Sequence, residues 1–158
     1  MTDSISIRIS PSPMRIWLGV AAMMGLGAIL IYLALAHPPV TLVLRGFLLL
    51  FGGFAIFGGW KMMQSGQLSL ILEGDSLTDS AGRVVATIDN IEKVERGAFA
   101  FKPSHGFLLH LNEPMPRAWF PGVWWRMGRR VAVGGVLPGG ETKAVADMIA
   151  VRKSGMEL

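Results

Sequence analysis

The chain contains no cysteine. That absence removes disulfide staples, thiolate metal sites and a thiol nucleophile, and leaves the redox compartment undetermined. It also lacks a lysine-rich run or an aromatic pattern suited to stacking single strands, so a net charge of +4 and a pI near 10.0 do not amount to a nucleic-acid footprint. The three histidines, His37, His105 and His110, are not spaced as a ligand set. Gly134-Gly135 and Gly139-Gly140 precede a helical pattern but lack the spacing and strand-loop-helix context of a phosphate loop. No cofactor is expected, and no residue pattern marks a catalytic centre.

What the chain does have is two long apolar runs, Ile16 to Ala36 and Val40 to Trp60, separated by little more than His37-Pro38-Pro39. Each matches the roughly 20 residues that a helix needs to cross a bilayer. Neither contains an acidic residue, which argues against a proton relay or cation pathway. Arg15 and Trp17 open the first run, and Trp60 and Lys61 close the second. When the chain folds back, each pair sets an amphipathic aromatic and a cation at one face, as interfacial anchors do. Arg8 and Arg15 precede the first run, while the turn offers only His37 and the membrane-edge Arg45, so the positive-inside bias favours both termini in the cytoplasm. Arg45 lies about one turn into the second helix, where its long side chain can snorkel to headgroups. A cleavable leader ending at Ala34-Leu35-Ala36 is the competing reading, but the apolar stretch is long for a leader and a second span follows within a few residues. Ala21-x-x-x-Gly25 and Ala55-x-x-x-Gly59 put small residues one turn apart, which permits close helix contact inside the hairpin or with a partner.

Outside the runs the period changes to two. Ile5, Ile7 and Ile9 alternate with polar residues before Pro11 and Pro13, predicting a short strand that must join a larger sheet to be stable. Leu68, Leu70 and Leu72 alternate before the turn Gly74-Asp75, and Asp79-Ser80-Ala81-Gly82 forms a hairpin loop between Leu77-Thr78 and Val84 to Ile88. Ile91, Val94 and Phe99 continue the apolar pattern toward a turn at Lys102 to Gly106, followed by Phe107, Leu109 and Leu111, and then Val131 and Val133. Ala144, Val145, Met148, Ile149 and Arg152 fall instead at helical spacing. The expected architecture is an α+β membrane protein. An N-terminal strand (residues 1–12) joins the soluble sheet, a transmembrane helical hairpin follows (13–61, spans near 16–36 and 40–60), and residues 62–158 form a small antiparallel β-barrel or sandwich closed by a C-terminal helix.

The order of an Ile-alternating strand, a tight two-span hairpin and then LSLILEGDSLTDSAGRVVATIDNIEKVE, with Ile88, Ile91 and Val94 in an Ile-x-x-Ile-x-x-Val segment, resembles bacterial membrane proteins in which two transmembrane helices precede a pleckstrin-homology-like domain. The resemblance implies a PH-like barrel and an inner-membrane location more than it implies an activity. Phosphoinositide binding is not carried over, because no matched basic loop is present. The stretch from Pro114 to Gly128, rich in proline and tryptophan, departs from the family pattern.

That stretch supplies the candidate site. Trp119, Trp124, Trp125, Arg126, Arg129 and Arg130, punctuated by Pro121 and Gly122, suit a loop at headgroup level. They equally suit a partner-binding hot spot, or core tryptophans beside solvated arginines. The expectation is a non-enzymatic inner-membrane protein whose cytoplasmic domain serves as an interaction or scaffold module, an accessory component of a larger membrane complex. Its partners would be the bilayer and a membrane protein or a second copy of itself. The alternative is a sensor of anionic lipid working through the Trp/Arg segment.

Overall fold

The computed structural model describes residues 6–97 and 104–155; Ile5, Phe99, Lys102 and Pro103, which enter the sequence pattern above, lie outside them. The protein is α+β, with two long apolar helices and two antiparallel sheets. It divides into two compact units: Met1–Ser12 together with Ser65–Leu158, and Pro13–Gln64.

The helical unit holds α1 (Pro13–Ala36) and α2 (Leu42–Ser65). Proline suits the first position of a helix, where its missing N–H has no intrahelical role, and His37-Pro38-Pro39 stops α1 because a proline interrupts the hydrogen-bond ladder. Both helices are long and apolar enough to cross a membrane, and only 17% and 22% of their most apolar stretches are buried within the protein. A soluble core helix would be mostly buried; here Trp17, Leu18, Ile29, Tyr32, Leu50 and Phe54 stand exposed. The helices meet closely at Gly27 and Gly52. A Cβ on Gly27 would lie 2.7 Å from the Gly52 carbonyl oxygen, and one on Gly52 would lie 3.1 Å from that of Gly27. Of the two small-residue stripes, Ala55 and Gly59 face α1, with Ala55 buried and Gly59 against Met23 and Met24. Ala21 and Gly25 point outward, and nothing lies within 4 Å of a Cβ on Gly25.

In the β unit, β1 (Ile7–Ile9), β2 (Leu70–Glu73), β3 (Ser76–Asp79) and β4 (Val84–Thr87) form one sheet in that order. β5 (Ile91–Glu95), β6 (Phe107–Phe120) and β7 (Trp124–Val133) form the other. The strand before the hairpin is therefore the edge of the first sheet, with Ile7 opposite Leu72 and Ile9 opposite Leu70. The chain leaves the β unit after β1 and returns to it at β1's hydrogen-bonded neighbour. Leu70, Leu72, Leu77 and Val85 from one sheet, Phe107, Leu109, Leu111, Val131 and Val133 from the other, and Ile9 and Ile91 are buried. The last helix, α3 (Gly139–Lys153), buries Thr142, Val145, Ala146 and Ile149, a spacing of three and four that places them on one face. Its C-terminal cations bind orphan carbonyls, Lys153 those of Ile91 and Glu92 and Arg152 that of Gly74.

The expected barrel is not closed. A 3₁₀ turn, Ile88–Asn90, separates β4 from β5, and among the described residues no backbone ladder joins the two sheets. Two close backbone approaches fix the loops instead. Gly106 packs on Val133 and Gly134, so that a Cβ on Gly106 would fall 1.8 Å from the Val133 carbonyl oxygen, while Gly135 packs on Gly122. Thr142, at the start of α3, places its buried hydroxyl 2.7 Å from the His105 carbonyl, with the Pro138 carbonyl 2.8 Å away as the other acceptor.

Two glycines separate steric from conformational cost. Gly106→Ala, which must displace backbone, is expected to destabilise the β unit by about 3 kcal/mol. Gly74→Ala, at φ +54 with nothing near its Cβ, should cost about 1 kcal/mol. Urea unfolding of the full chain in detergent measures both.

Candidate interaction surface

The segment expected to be a loop is a β-hairpin. β6 and β7 run antiparallel and turn at Pro121-Gly122-Val123, where Gly122 has φ +86 and the Val123 N–H donates to the Phe120 carbonyl. β5 pairs only with the stretch Leu108 to Leu111 of β6, so the rest of β6 extends past it as an edge. Asn90 continues the ladder by one step: its Oδ1 accepts the Glu113 N–H at 2.8 Å and its Nδ2 donates to the Glu113 carbonyl at 3.2 Å. Pro114 and Pro116 follow. Prolines on an unpaired edge deny a further strand its ladder partners, so this edge is built to refuse strand addition.

Strand alternation sorts the Trp/Arg residues onto two faces. Phe120 opposite Trp124 and Ala118 opposite Arg126 share the inner face; Trp119 opposite Trp125 belong to the outer one, with Arg117 and Met127 next along it. Trp124 is 1% exposed and Arg126 8%, so both side chains lie inside the β unit rather than on its surface. Trp124 packs on Phe120, and its indole N–H has no acceptor. The Arg126 guanidinium donates through Nη1 to the Val84 and Val85 carbonyls at 2.7 and 3.0 Å, and through Nε to the Pro116 carbonyl at 2.7 Å. One side chain thus takes the place of the missing ladder between β4 and β7. Burial away from water lowers its pKa from the ordinary arginine value. Trp119 is 43% exposed, Trp125 is half-buried, and Met127, Arg117, Arg129 and Arg130 are exposed.

Residues without a sequence signal complete this region. Arg83, in the β3–β4 turn, stacks on the Phe120 ring with its guanidinium carbon 4.1 Å from the centroid, and its Nε meets the Asp79 carboxylate at 3.1 Å. Asp79 is buried and accepts the Ala81 and Arg83 N–H groups, which shapes the turn. On β5, Glu95 lies 3.0 Å from the Lys93 ammonium and 3.1 Å from His110 Nε2. The Lys93 hydrogen bond, followed by that of His110, holds its carboxyl below the usual carboxylate range. The stabilisation from that depressed pKa is complete above the unfolded carboxylate pKa and disappears as pH falls through the folded value. Among the described residues no group of three or more His, Asp and Glu side chains could hold a metal ion.

The proposed anchors occupy the two ends of the helical hairpin. Arg15 and Trp17 lie in the first turns of α1, Trp60 and Lys61 in the last turns of α2, and Arg45 in the first turn of α2, half-buried. The approach of Gly19 to Met62 brings the first four to one end. No family model matches the sequence, and no curated protein or solved structure shows significant similarity to it.

Arg126→Ala is expected to destabilise the full chain by about 2 kcal/mol, because three carbonyls, that of Val85 buried, lose a charged donor. Arg126→Lys should not restore it, since an ammonium cannot span the same fork. Arg129→Ala on the exposed strand should change stability by under about 0.5 kcal/mol. Thermal unfolding in detergent separates the three.

Proposed function

We propose that this chain is a two-span inner-membrane protein of the bacterial kind, with both termini in the cytoplasm and a PH-like β unit that acts as a non-enzymatic interaction or scaffold module. The observation that carries the reading is the insertion of α1 and α2 between two hydrogen-bonded strands, β1 and β2. Strands that pair must share one side of a membrane, which requires an even number of crossings between them, and two helices of spanning length supply it. The exposed apolar surface of both helices supports a lipid environment, because apolar area left in water is unfavourable by roughly 25 cal/mol per Å².

A four-stranded sheet, a three-stranded sheet and a closing C-terminal helix support the PH-like reading. The absence of lysine and arginine from His37 to Thr41, against Arg8 and Arg15 before α1, supports the cytoplasmic assignment. The interaction role rests on the outer face of the β6–β7 extension, where Met127 and Arg117 are presented on a rigid hairpin whose inner face Arg126 locks. A second reading, recognition of anionic lipid, is favoured by one observation: Arg117, Arg129 and Arg130 have no carboxylate within ion-pair distance among the described residues.

A photo-crosslinking residue placed at Met127 in intact membranes tests the module. One discrete protein adduct, persisting at high salt and reduced by Arg117→Glu with Arg129→Glu, is the expected result. Labelling of lipid alone, lost as salt screens the arginines, would replace it with the second reading.

A further inference from the structure

We infer that one end of the β unit, built from the β6–β7 and β3–β4 turns, rests on the bilayer interface with the Trp119 indole among the lipid headgroups. The inference rests on the membrane reading above and adds to it a lipid-contact surface that the two helices alone do not require.

The argument begins where the chain leaves the β unit. Ser12 immediately precedes α1; its N–H donates to the Val136 carbonyl at 3.0 Å, and the Val136 N–H donates to the Gly122 carbonyl at 2.8 Å. Two hydrogen bonds therefore separate the departure point of the first helix from the tip of the Trp hairpin. The return from α2 is held similarly. Ser69 follows the last residue of α2 by four positions, a tether of at most about 14 Å. Its carbonyl accepts the Ser80 N–H at 2.8 Å and its N–H donates to Ser80 Oγ at 3.1 Å. Arg83, stacked on Phe120, joins this second turn to the first. Both chain connections to the spanning helices thus lie at the end that carries these two turns.

The chemistry of that end suits an interface. Residues 80–84 and 114–130 include no acidic residue, and Asp79, which precedes the first stretch, is buried against Arg83. Trp119 and Val84 are exposed, and half of the Arg83 side chain reaches solvent beside the aromatic it stacks on. An exposed indole partitions to headgroup depth, and Arg83, stacked on the neighbouring Phe120, offers a cation to phosphate. Glu73, Asp75, Asp89 and Glu113 lie toward the opposite end, whereas Glu95, opposite Leu108 on β6, and Asp147, paired with Arg96, do not. β2 runs away from Ser69 to Glu73; the turn at Asp75 binds the Ile88 N–H beside Asp89, and Glu113 pairs with Asn90. Glu141, in the first turn of α3, is accompanied by Lys143.

The absence of cysteine makes single nitroxide labels straightforward. Trp119→Cys, Ala81→Cys, Asp75→Cys and Phe54→Cys, each in the full chain reconstituted into phosphatidylcholine–phosphatidylglycerol vesicles, are probed by collision with oxygen and with a water-soluble nickel chelate. The expected result is an oxygen-to-nickel ratio several-fold higher at 119 and 81 than at 75, and lower than at 54. Because Ala81 is an exposed turn residue, its label gives the answer even if replacing Trp119 disturbs folding. Labels at 119 and 81 as open to nickel as that at 75 would overturn the inference while a lipid-buried label at 54 left the spans intact. Shielding of 119 and 81 from both reagents would identify a protein contact and also overturn it. A nickel-accessible label at 54 would remove the membrane reading itself.

Discussion

The pairing of Ile9 with Leu70 organises the molecule. A strand of three residues has no independent stability, and Ile9, fully buried, contributes to the β core only when β1 is docked on β2. Between them lies the whole helical hairpin. Were residues 10–69 an unstructured loop, closing it would cost conformational entropy that grows with the logarithm of loop length. Antiparallel helices packed through Gly27 and Gly52 return the chain close to where it left. The closure that β1 needs then reduces to two short linkers, and the hydrogen bonds of Ser12 and Ser69 fix those. Helix packing and sheet completion support one another across the insertion.

The second constraint is the gap between the sheets. A small β unit that does not close into a barrel must satisfy strand-edge carbonyls by other means, and Arg126 does so for Val84 and Val85 while reaching Pro116 on its own hairpin. A buried guanidinium is unfavourable unless its donors are used; here three carbonyls take up its Nε and Nη1 donors. Fixing the inner face leaves the outer face of β6–β7 presented without further support from β5, and the prolines at positions 114 and 116 keep its edge from recruiting another strand. The exposed hairpin edge therefore offers few ladder partners, which suits side-chain recognition rather than strand addition.

Much of this was visible in the amino-acid order. The apolar runs have the length of spanning helices, the alternations at Leu70-Leu72 and Phe107-Leu111 mark strands with one buried face, and the spacing of Val145, Ala146 and Ile149 marks the last helix. The Trp/Arg stretch was harder to read because prolines at 114, 116 and 121 mimic a loop; only the edge position of β6, a fact of topology, makes two of them compatible with a strand. The separate fates of Trp124 and Trp125 follow from a register that no local pattern specifies. Nor does composition reveal that Arg126 is buried among carbonyls while Arg129 is exposed, since the carbonyls come from β4, far away in sequence. The glycine contacts of Gly106 with Gly134 and of Gly122 with Gly135 are likewise tertiary; in the sequence the paired glycines looked like a failed phosphate loop.

The central claim is that the chain crosses a membrane twice between two strands of one sheet, so that residues before β1 and after β2 lie on one side and the helix-helix turn on the other. Single cysteines at Ser6, Val40 and Lys143 in the otherwise cysteine-free chain, labelled with a membrane-impermeant maleimide in sealed vesicles of known orientation, test it directly. Equal labelling at positions 6 and 143 with the opposite behaviour at position 40 is the expected result; opposite labelling of positions 6 and 143, or position 40 on their side, would contradict it.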